Sequence, residues 1–555
     1  MLFGVLAVAL GYFILPPLAM LIVTSFQIER RGSVVGYGME NYQSLLALDG
    51  ATPTVLLNTL LFGAGSAIVG VTLGGALAWL AERTNAPFKG LLYVTAFVSF
   101  AIPGIVKVVG WILLLGPQSG LINVALREWL HLSASPFNVF SLGGMILLEG
   151  LLWAPVVFLL LASTFRSMDP SLEEAAAAAG AGPWTTIWRV TLRLALPTTF
   201  SVVILTVIRS MEGFEIPALV GIPAKVEVLT TIVYERIRSG LLPRYGEGSA
   251  YALVLVVVVL ALIYPYTRLT RQASKYATIS GKAFRPRVKD LGPWRFAAGA
   301  VTLLLPTLML LPLTVLLWAS LLPFYQAPSA EALKVVTLDN YAKAFGNTNV
   351  AASLGNSFVI GVTSATVVMV LALLLAWLVF RTRLRGRWLL ENLGTLPLVF
   401  PGVVLGVAVL RTYLTLPIPI YGTIWIIAVA FIARYMPYGI RFGEAGLLQI
   451  HRELEESAQV NGAPFPRVLR KILVPLMMPA LFGGWIYVFL LSVKELSLAI
   501  LLYGPQSAVI SATMFDLWQN GQVTELSAFC MVVTAIFVGI GLIFYRVSQR
   551  YGFNA

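Results

Sequence analysis

Apolar runs of about 20 residues recur along the whole of this 555-residue chain. That is the length a helix needs to cross a hydrocarbon core of about 30 Å. Twelve such spans are expected, near 2–25, 56–80, 90–114, 142–164, 195–219, 250–267, 296–320, 355–379, 389–411, 422–442, 476–501 and 528–545. A mean hydropathy of +0.86, with 11% of residues charged, places the chain in a bilayer. The fold class is therefore all-α, a polytopic membrane protein. The first run carries no basic flank and no small-residue cleavage site, so it reads as a retained span rather than a cleaved leader.

The net charge of +13 raises the possibility of nucleic acid, but its distribution argues for topology instead. With the N-terminus inside, most of the Lys and Arg fall in cytoplasmic segments. Arg381, Arg383, Arg385 and Arg387 share one short loop, and a further basic cluster lies between Arg268 and Arg295. This is the positive-inside bias, and no nucleic-acid role is expected. A single cysteine, Cys530, excludes a disulfide framework and is expected to serve packing.

The chain contains itself twice. Asn41-Tyr42 recurs as Asn340-Tyr341, and Asn58-Thr59 with Ala78-Trp79 recurs as Asn356-Ser357 with Ala376-Trp377. Pro103-Gly104 matches Pro401-Gly402 at the same offset of 298. Further on, the run Glu173 to Gly180 matches Glu455 to Gly462 at an offset of 282, so the first half has a longer loop between its third and fourth spans. Six spans per copy make the two repeats parallel. The expected division is a first repeat over 1–267, a basic cytoplasmic linker over 268–295 and a second repeat over 296–555. Two equal halves about an axis along the membrane normal imply a pathway between them. Duplication of that kind also occurs in secondary transporters, so the repeat alone leaves the driving force open.

A polar interruption between the fourth and fifth spans of each half carries the chemistry. The first reads Asp169-Pro170-Ser171-Leu172-Glu173-Glu174-Ala175-Ala176, then Gly180; the second reads Glu453-Leu454-Glu455-Glu456-Ser457-Ala458, then Gly462. Asp169 or Ser171 suits an N-cap, Pro170 a first turn, and alanine the helix interior. A glycine six residues after the second glutamate ends the helix, because it accepts positive φ. A helix, a glycine turn and a second helix are expected on the cytoplasmic face, with acidic and small residues outward. This pattern resembles the EAA loop of ABC importer permeases, with both copies keeping the spacing from Glu174 to Gly180 and from Glu456 to Gly462. The resemblance implies the type I importer permease fold. It also implies that Glu173, Glu174, Ala175, Ala176 and Gly180, with Glu455, Glu456, Ala458 and Gly462, couple the membrane helices to an ATP-binding subunit. Arg193 and Ser457 depart from the family pattern, so the two docking sites are expected to differ.

No G-x-x-x-x-G-K-[ST] occurs, so the chain is expected to bind no cofactor itself and to rely on a partner that hydrolyses ATP. The expected partners are two copies of an ABC ATPase subunit, a periplasmic or lipid-anchored binding protein and membrane lipid. The expected location is the bacterial inner membrane.

Charge inside a span is costly and marks function by default. At about 1.5 Å per residue, Arg209, Glu212 and Glu215 fall at about 22, 27 and 32 Å along the fifth span. Lys494 and Glu495 fall at about 27 and 29 Å along the eleventh, on the same count. Glu212 and Glu215 are expected to share a helix face. These five residues are candidates for a polar ring at the outer mouth of a pathway, or for snorkelling side chains with Glu212 paired to Lys494. Lys107, Glu149 and Arg411 read as helix-end residues. His131 and His451 fall on opposite sides, so no histidine metal site and no tightly bound metal are expected. The stretch Arg209 to Pro223 is similar to the corresponding part of ferric-iron permeases, which are also fused two-repeat proteins. That resemblance implies ferric iron as cargo; fused permeases for thiamine, phosphonates and similar solutes share the architecture. An ion-coupled secondary transporter is the rival class, and a membrane enzyme would need convergent catalytic groups that the sequence does not supply.

Overall fold

The computed structural model describes residues 2–46, 51–169, 171–238, 242–273 and 288–550. Among these, ten helices are long and apolar enough to cross a membrane, and two further spans are bent pairs. In the first repeat the spans are α1 (Leu2–Ser25), α2 (Thr52–Arg83), the pair α3 (Lys89–Ala101) and α4 (Gly104–Leu115), and α5 (Leu142–Ser167). A short helix α6 (Ser171–Ala178) precedes α7 (Leu192–Glu212), followed by α8 (Leu229–Arg238) and α9 (Tyr245–Ala273). The second repeat runs α10 (Arg295–Ser320), α11 (Thr348–Arg381), the pair α12 (Arg387–Thr395) and α13 (Gly402–Thr415), and α14 (Ile424–Leu448). It closes with α15 (Glu453–Val460), α16 (Val474–Lys494), α17 (Ile510–Gln519) and α18 (Val523–Arg550). The one sheet among the described residues is an outer hairpin of β1 (Gln27–Arg30) and β2 (Ser33–Tyr37).

Two expected spans, 90–114 and 389–411, are not single helices. The chain bends by 107° between α3 and α4 and by 110° between α12 and α13. The cause is the repeated Pro-Gly. A residue before proline is pushed out of the helical region, and Ile102 and Phe400 are both extended. Proline then caps the next helix, where its missing N–H costs nothing. The expected spans at 195–219 and 476–501 also stop early. Their helices end at Glu212 and Lys494, because Gly213 and Glu495 are extended.

The repeated motifs do repeated work. Asn41 donates to the carbonyls of Ser25 and Gln27, each at 2.9 Å, while Tyr42 bonds Ser25 Oγ. Asn340 donates to Ser320 and Leu322, and Tyr341 bonds Ser320 Oγ. Each Asn-Tyr pair thus ties off the outer end of its repeat's first span. Asn58 and Asn356 likewise hold Glu227 O and Ala508 O, the loops that lead into α8 and α17.

Close helix approach relies on glycine, but on opposite partners. On α2, a Cβ at Gly74 would meet Ala154 O of α5 at 2.6 Å. In the second repeat the G-x-x-x-G lies on α14, where Gly439 and Gly443 face Val368 and Ala372 of α11. The repeats also exchange helices: α1 packs against α13, and α10 against α3 and α4. Of the expected linker, residues 274–287 lie outside the described residues. Its far end pairs with the end of α2, with Lys289 N donating to Arg83 O and Asn85 N to Lys289 O.

Candidate functional site

Both polar interruptions fold as the helix and glycine turn expected of them. Ser171 N donates to Asp169 Oδ1 at 2.8 Å, which starts α6; Pro170 lies outside the described residues. At the other end Gly180 has φ +85°, and Ala181 N reaches back to Ala176 O at 3.0 Å. Gly462 has φ +77°, and Ala463 N reaches Ala458 O at 3.0 Å. These are the two halves of one helix-ending motif, which only glycine enters without strain. Among the described residues, and apart from each glycine's own chain neighbours, no atom lies within 4 Å of a Cβ built on either glycine.

Not all the acidic residues point outward. Glu174, Ala175 and Glu456 are exposed, and Ala176 and Ala458 are half-buried. Glu173 turns inward to Arg83 Nη2 at 3.3 Å and accepts from Thr191 Oγ1 at 2.7 Å. Glu455 turns inward to Arg381 Nε at 2.9 Å and accepts from Trp377 Nε1 at 3.0 Å. Arg83 and Arg381 are the last residues of α2 and α11. Each short helix is therefore tied by a buried arginine to the second span of its own repeat, a partner the sequence pattern did not announce. The expectation of an all-outward acidic face is corrected on this point: an arginine at the span end needs a counter-charge once buried.

Towards the outer end of α7 and α16 a belt of charge joins the two halves. Arg209 Nη1 lies 2.8 Å from Glu212 Oε2, and Arg209 Nη2 donates to Tyr438 Oη of the second repeat at 3.0 Å. Lys494 Nζ donates to Phe100 O of the first repeat at 2.7 Å and sits 4.0 Å from the centroid of the Phe100 ring. Glu212 is thus paired within its own helix rather than with Lys494. Glu212 and Glu215 do not share a helical face, because α7 ends between them.

The broken spans explain where the remaining charges go. A helix leaves carbonyls unsatisfied at its C-terminus and amides at its N-terminus, which favour cations and anions respectively. At the first break Lys494 holds Phe100 O, and the Glu215 carboxylate lies against Gly104 at the start of α4. At the second, Arg434 Nη1 donates to Phe400 O at 3.4 Å, and Glu495 Oε1 lies 3.1 Å from a Cβ built on Gly402. Arg434 and Glu495 also pair at 3.6 Å, and Tyr435 Oη donates to Glu495 Oε2 at 2.9 Å. Lys107 is a helix-end residue only because of the break: it stands in the first turn of α4 and donates to Ser99 O at 3.2 Å. Glu149, read as a helix end, instead lies two turns inside α5, buried and bonded by Trp153 Nε1. Arg411 is near the end of α13 and donates to Gln27 Oε1 at 2.9 Å. Arg434 was missed by sequence, although it lies inside the tenth expected span and meets the criterion that singled out Arg209.

The belt holds Glu149, Glu212, Glu215 and Glu495 against Lys107, Arg209, Arg434 and Lys494, so its formal charges cancel. Among the described residues no three His, Cys, Asp or Glu side chains converge as a metal ion would require. Above the belt the halves stay in contact. Phe515 packs on Phe214 and Tyr234, and Arg238 stacks on the Tyr503 ring and donates to Tyr503 O at 3.1 Å.

Comparison with known proteins gives a consistent picture. The family model described as binding-protein-dependent transport system inner membrane component matches twice, at residues 70–272 and 368–551. A ferric transport system permease protein of Actinobacillus pleuropneumoniae is 24% identical over 497 residues, covering 88% of this chain and 70% of that protein. A probable ABC transporter permease of Sinorhizobium fredii is 25% identical over 561 residues, covering 98% and 94%. A putrescine transport system permease of Escherichia coli is 27% identical over 218 residues, covering 38% of this chain and 76% of that protein.

Proposed function

The chain belongs to the binding-protein-dependent transport system inner membrane components and is a multi-pass protein of the bacterial inner membrane; from that premise we propose that it is the permease of an ATP-driven importer whose cargo is ferric iron. One observation carries the reading. Two acidic helices end in positive-φ glycines, and each is tied by a buried arginine to the second span of its repeat. A rigid lever anchored to a span, with its outer face left open, is what a separate motor needs.

The mechanism follows from that geometry. Two ATPase subunits seat on α6 and α15 through Glu174 and Glu456 and the open side of each glycine turn. When ATP draws the subunits together, the levers carry α2 and α11 with them. The cross-half contacts at the outer side (Arg209 to Tyr438, Lys494 to Phe100 O, Arg238 to Tyr503) then part, and a binding protein delivers its cargo. Hydrolysis lets the contacts reform and leaves the cargo on the cytoplasmic side. The linear division into repeats over 1–267 and 296–555 belongs to this reading, with α1 and α10 as arms that keep the halves joined.

Ferric iron is favoured over an organic cation because the match to the ferric relative covers 88% of this chain and so spans both repeats, whereas the match to the putrescine relative covers 38% of this chain. The test is reconstitution with the ATPase and binding-protein subunits. ATP-dependent uptake of ferric iron supports the reading, and uptake of putrescine in preference to iron overturns the cargo assignment.

A further inference from the structure

The two levers continue into the membrane through segments of different character. After Gly462 the aromatic side chain faces inward: Phe465 packs against Trp377, with ring centroids 4.1 Å apart. After Gly180 the aromatics face outward. Trp184 and Trp188, one turn apart, are both exposed, and so are Arg189 and Arg193. Among the described residues neither guanidinium has a hydrogen bond or an ion pair. At the offset of 282 the two tryptophans correspond to Pro466 and Arg470, so the outward pair belongs to the first repeat alone. Exposed basic residues, by contrast, are common to both segments, as Arg470 and Lys471 show.

The outward pair is continuous with the lipid-facing side of α7. Helical backbone runs from Trp184 to Glu212, a span of 29 residues. At about 1.5 Å per residue that is about 43 Å, of which a hydrocarbon core takes about 30 Å. Its first turns can therefore stand at headgroup level while the rest crosses. Further along, Leu196 and Phe200 are exposed. Steps of four residues overshoot an α-helical turn by about 40°. The wider π turn over Ile187–Thr191 offsets that drift, so Trp184, Trp188, Leu196 and Phe200 form one stripe. Its far part meets acyl chains, and its near part carries the residue types that suit headgroups. Indoles favour the membrane–water interface, and a guanidinium fork matches a phosphate. We propose that this face is a site for an anionic phospholipid of the inner leaflet, its phosphate taken by Arg189 and Arg193 and its glycerol region covered by the two indoles. The bound lipid backs the first lever from outside, where Arg83 leaves hydrogen bonds unmade within. The second lever takes the equivalent support from Trp377 and Phe465. This role for the lipid rests on the reading of α6 as a lever; the site itself does not.

The test places the full chain in bilayers and measures fluorescence quenching by phospholipids brominated near the glycerol end of their acyl chains. Emission of the pair is the difference between the unaltered chain and the Trp184→Phe/Trp188→Phe variant. At equal content, brominated phosphatidylglycerol is expected to quench that emission about threefold more than brominated phosphatidylcholine. Arg189→Gln with Arg193→Gln is expected to erase the preference, and Arg470→Gln with Lys471→Gln to leave it intact. All six altered side chains are exposed, so no variant removes a packed group. Equal quenching by the two lipids, or quenching by neither, overturns the proposal. So does loss of the lipid quenching when the ATPase subunit is added, which would give the face to that partner. No transport is measured, so failure of the importer reading shows separately, as absence of ATP-driven iron uptake by the unaltered complex.

Discussion

The two cytoplasmic levers share one backbone but not one set of side-chain contacts. In the second repeat Arg381 pairs with Glu455 at 2.9 Å and also donates to Leu447 O at 3.0 Å and to Ile450 O. Trp377 bonds the same glutamate and packs against Phe465 in a tilted pair, with ring centroids 4.1 Å apart. In the first repeat Arg83 is the more deeply buried of the two, at 3% against 11% exposed; none of its three side-chain nitrogens makes a hydrogen bond among the described residues, against Nε alone in Arg381, and its pairing to Glu173 is longer, at 3.3 Å. Trp184 and Trp188, which follow the first glycine turn in the chain, stand 72% and 66% exposed. Duplication preserved the turn, which needs only glycine and spacing, and let the anchorage diverge. The lever of the second repeat is tied to its span through both Arg381 and Trp377; that of the first is tied through Arg83, whose nitrogens have hydrogen bonds to spare.

The largest expected effect attacks what the levers share. A Cβ at Gly180 or Gly462 meets no neighbouring atom within 4 Å among the described residues, so alanine there is expected to change stability by only about 1–2 kcal/mol of backbone strain. Transport is nevertheless expected to fall to background while ATP hydrolysis continues, because the proposed mechanism seats the ATPase on the open side of each turn. Unchanged uptake in both variants would remove the levers from the mechanism.

The next attacks the difference. Arg381→Gln leaves Glu455 buried without a counter-charge and is expected to cost about 3–5 kcal/mol. Arg83→Gln removes a longer pair and a guanidinium whose three nitrogens make no hydrogen bond among the described residues, and about 1–3 kcal/mol is expected. Denaturation of the two purified variants in detergent measures both, and equal losses would erase the distinction. At the outer side, Asn340→Ala and Asn41→Ala each remove two hydrogen bonds to carbonyls. Asn340 is buried and Asn41 half-buried, so the loss is expected near 2 kcal/mol for the former and about half that for the latter. The smallest effect is Trp377→Phe, which keeps a ring against Phe465 and deletes one hydrogen bond, about 1 kcal/mol in the same denaturation assay.

Much of this was legible in sequence, for physical reasons that also mark where legibility ends. Hydrophobic runs depend on short segments, so most of the spans could be read directly. The glycine turns were readable because positive φ leaves a residue-type signature. Pro103-Gly104 and Pro401-Gly402 were visible as repeats, but not as bends of more than 100°, since proline is tolerated inside α5 and α14 without breaking either. Pairings were the least legible. Glu212 chose Arg209 one turn away, and Lys494 chose a backbone carbonyl, because a broken helix exposes polar groups that no side-chain pattern records. The inward turn of Glu173 and Glu455 needed Arg83 and Arg381, which lie 90 and 74 residues earlier in the chain.

The central claim is that this chain conducts only when a separate ATPase moves its levers. Uptake of ⁵⁵Fe(III) into proteoliposomes tests it most directly, with the chain reconstituted alone or with its ATPase and binding protein. The account predicts uptake only with both partners and ATP present, and none by the chain alone under any ion gradient. Gradient-driven uptake by the chain alone would contradict it.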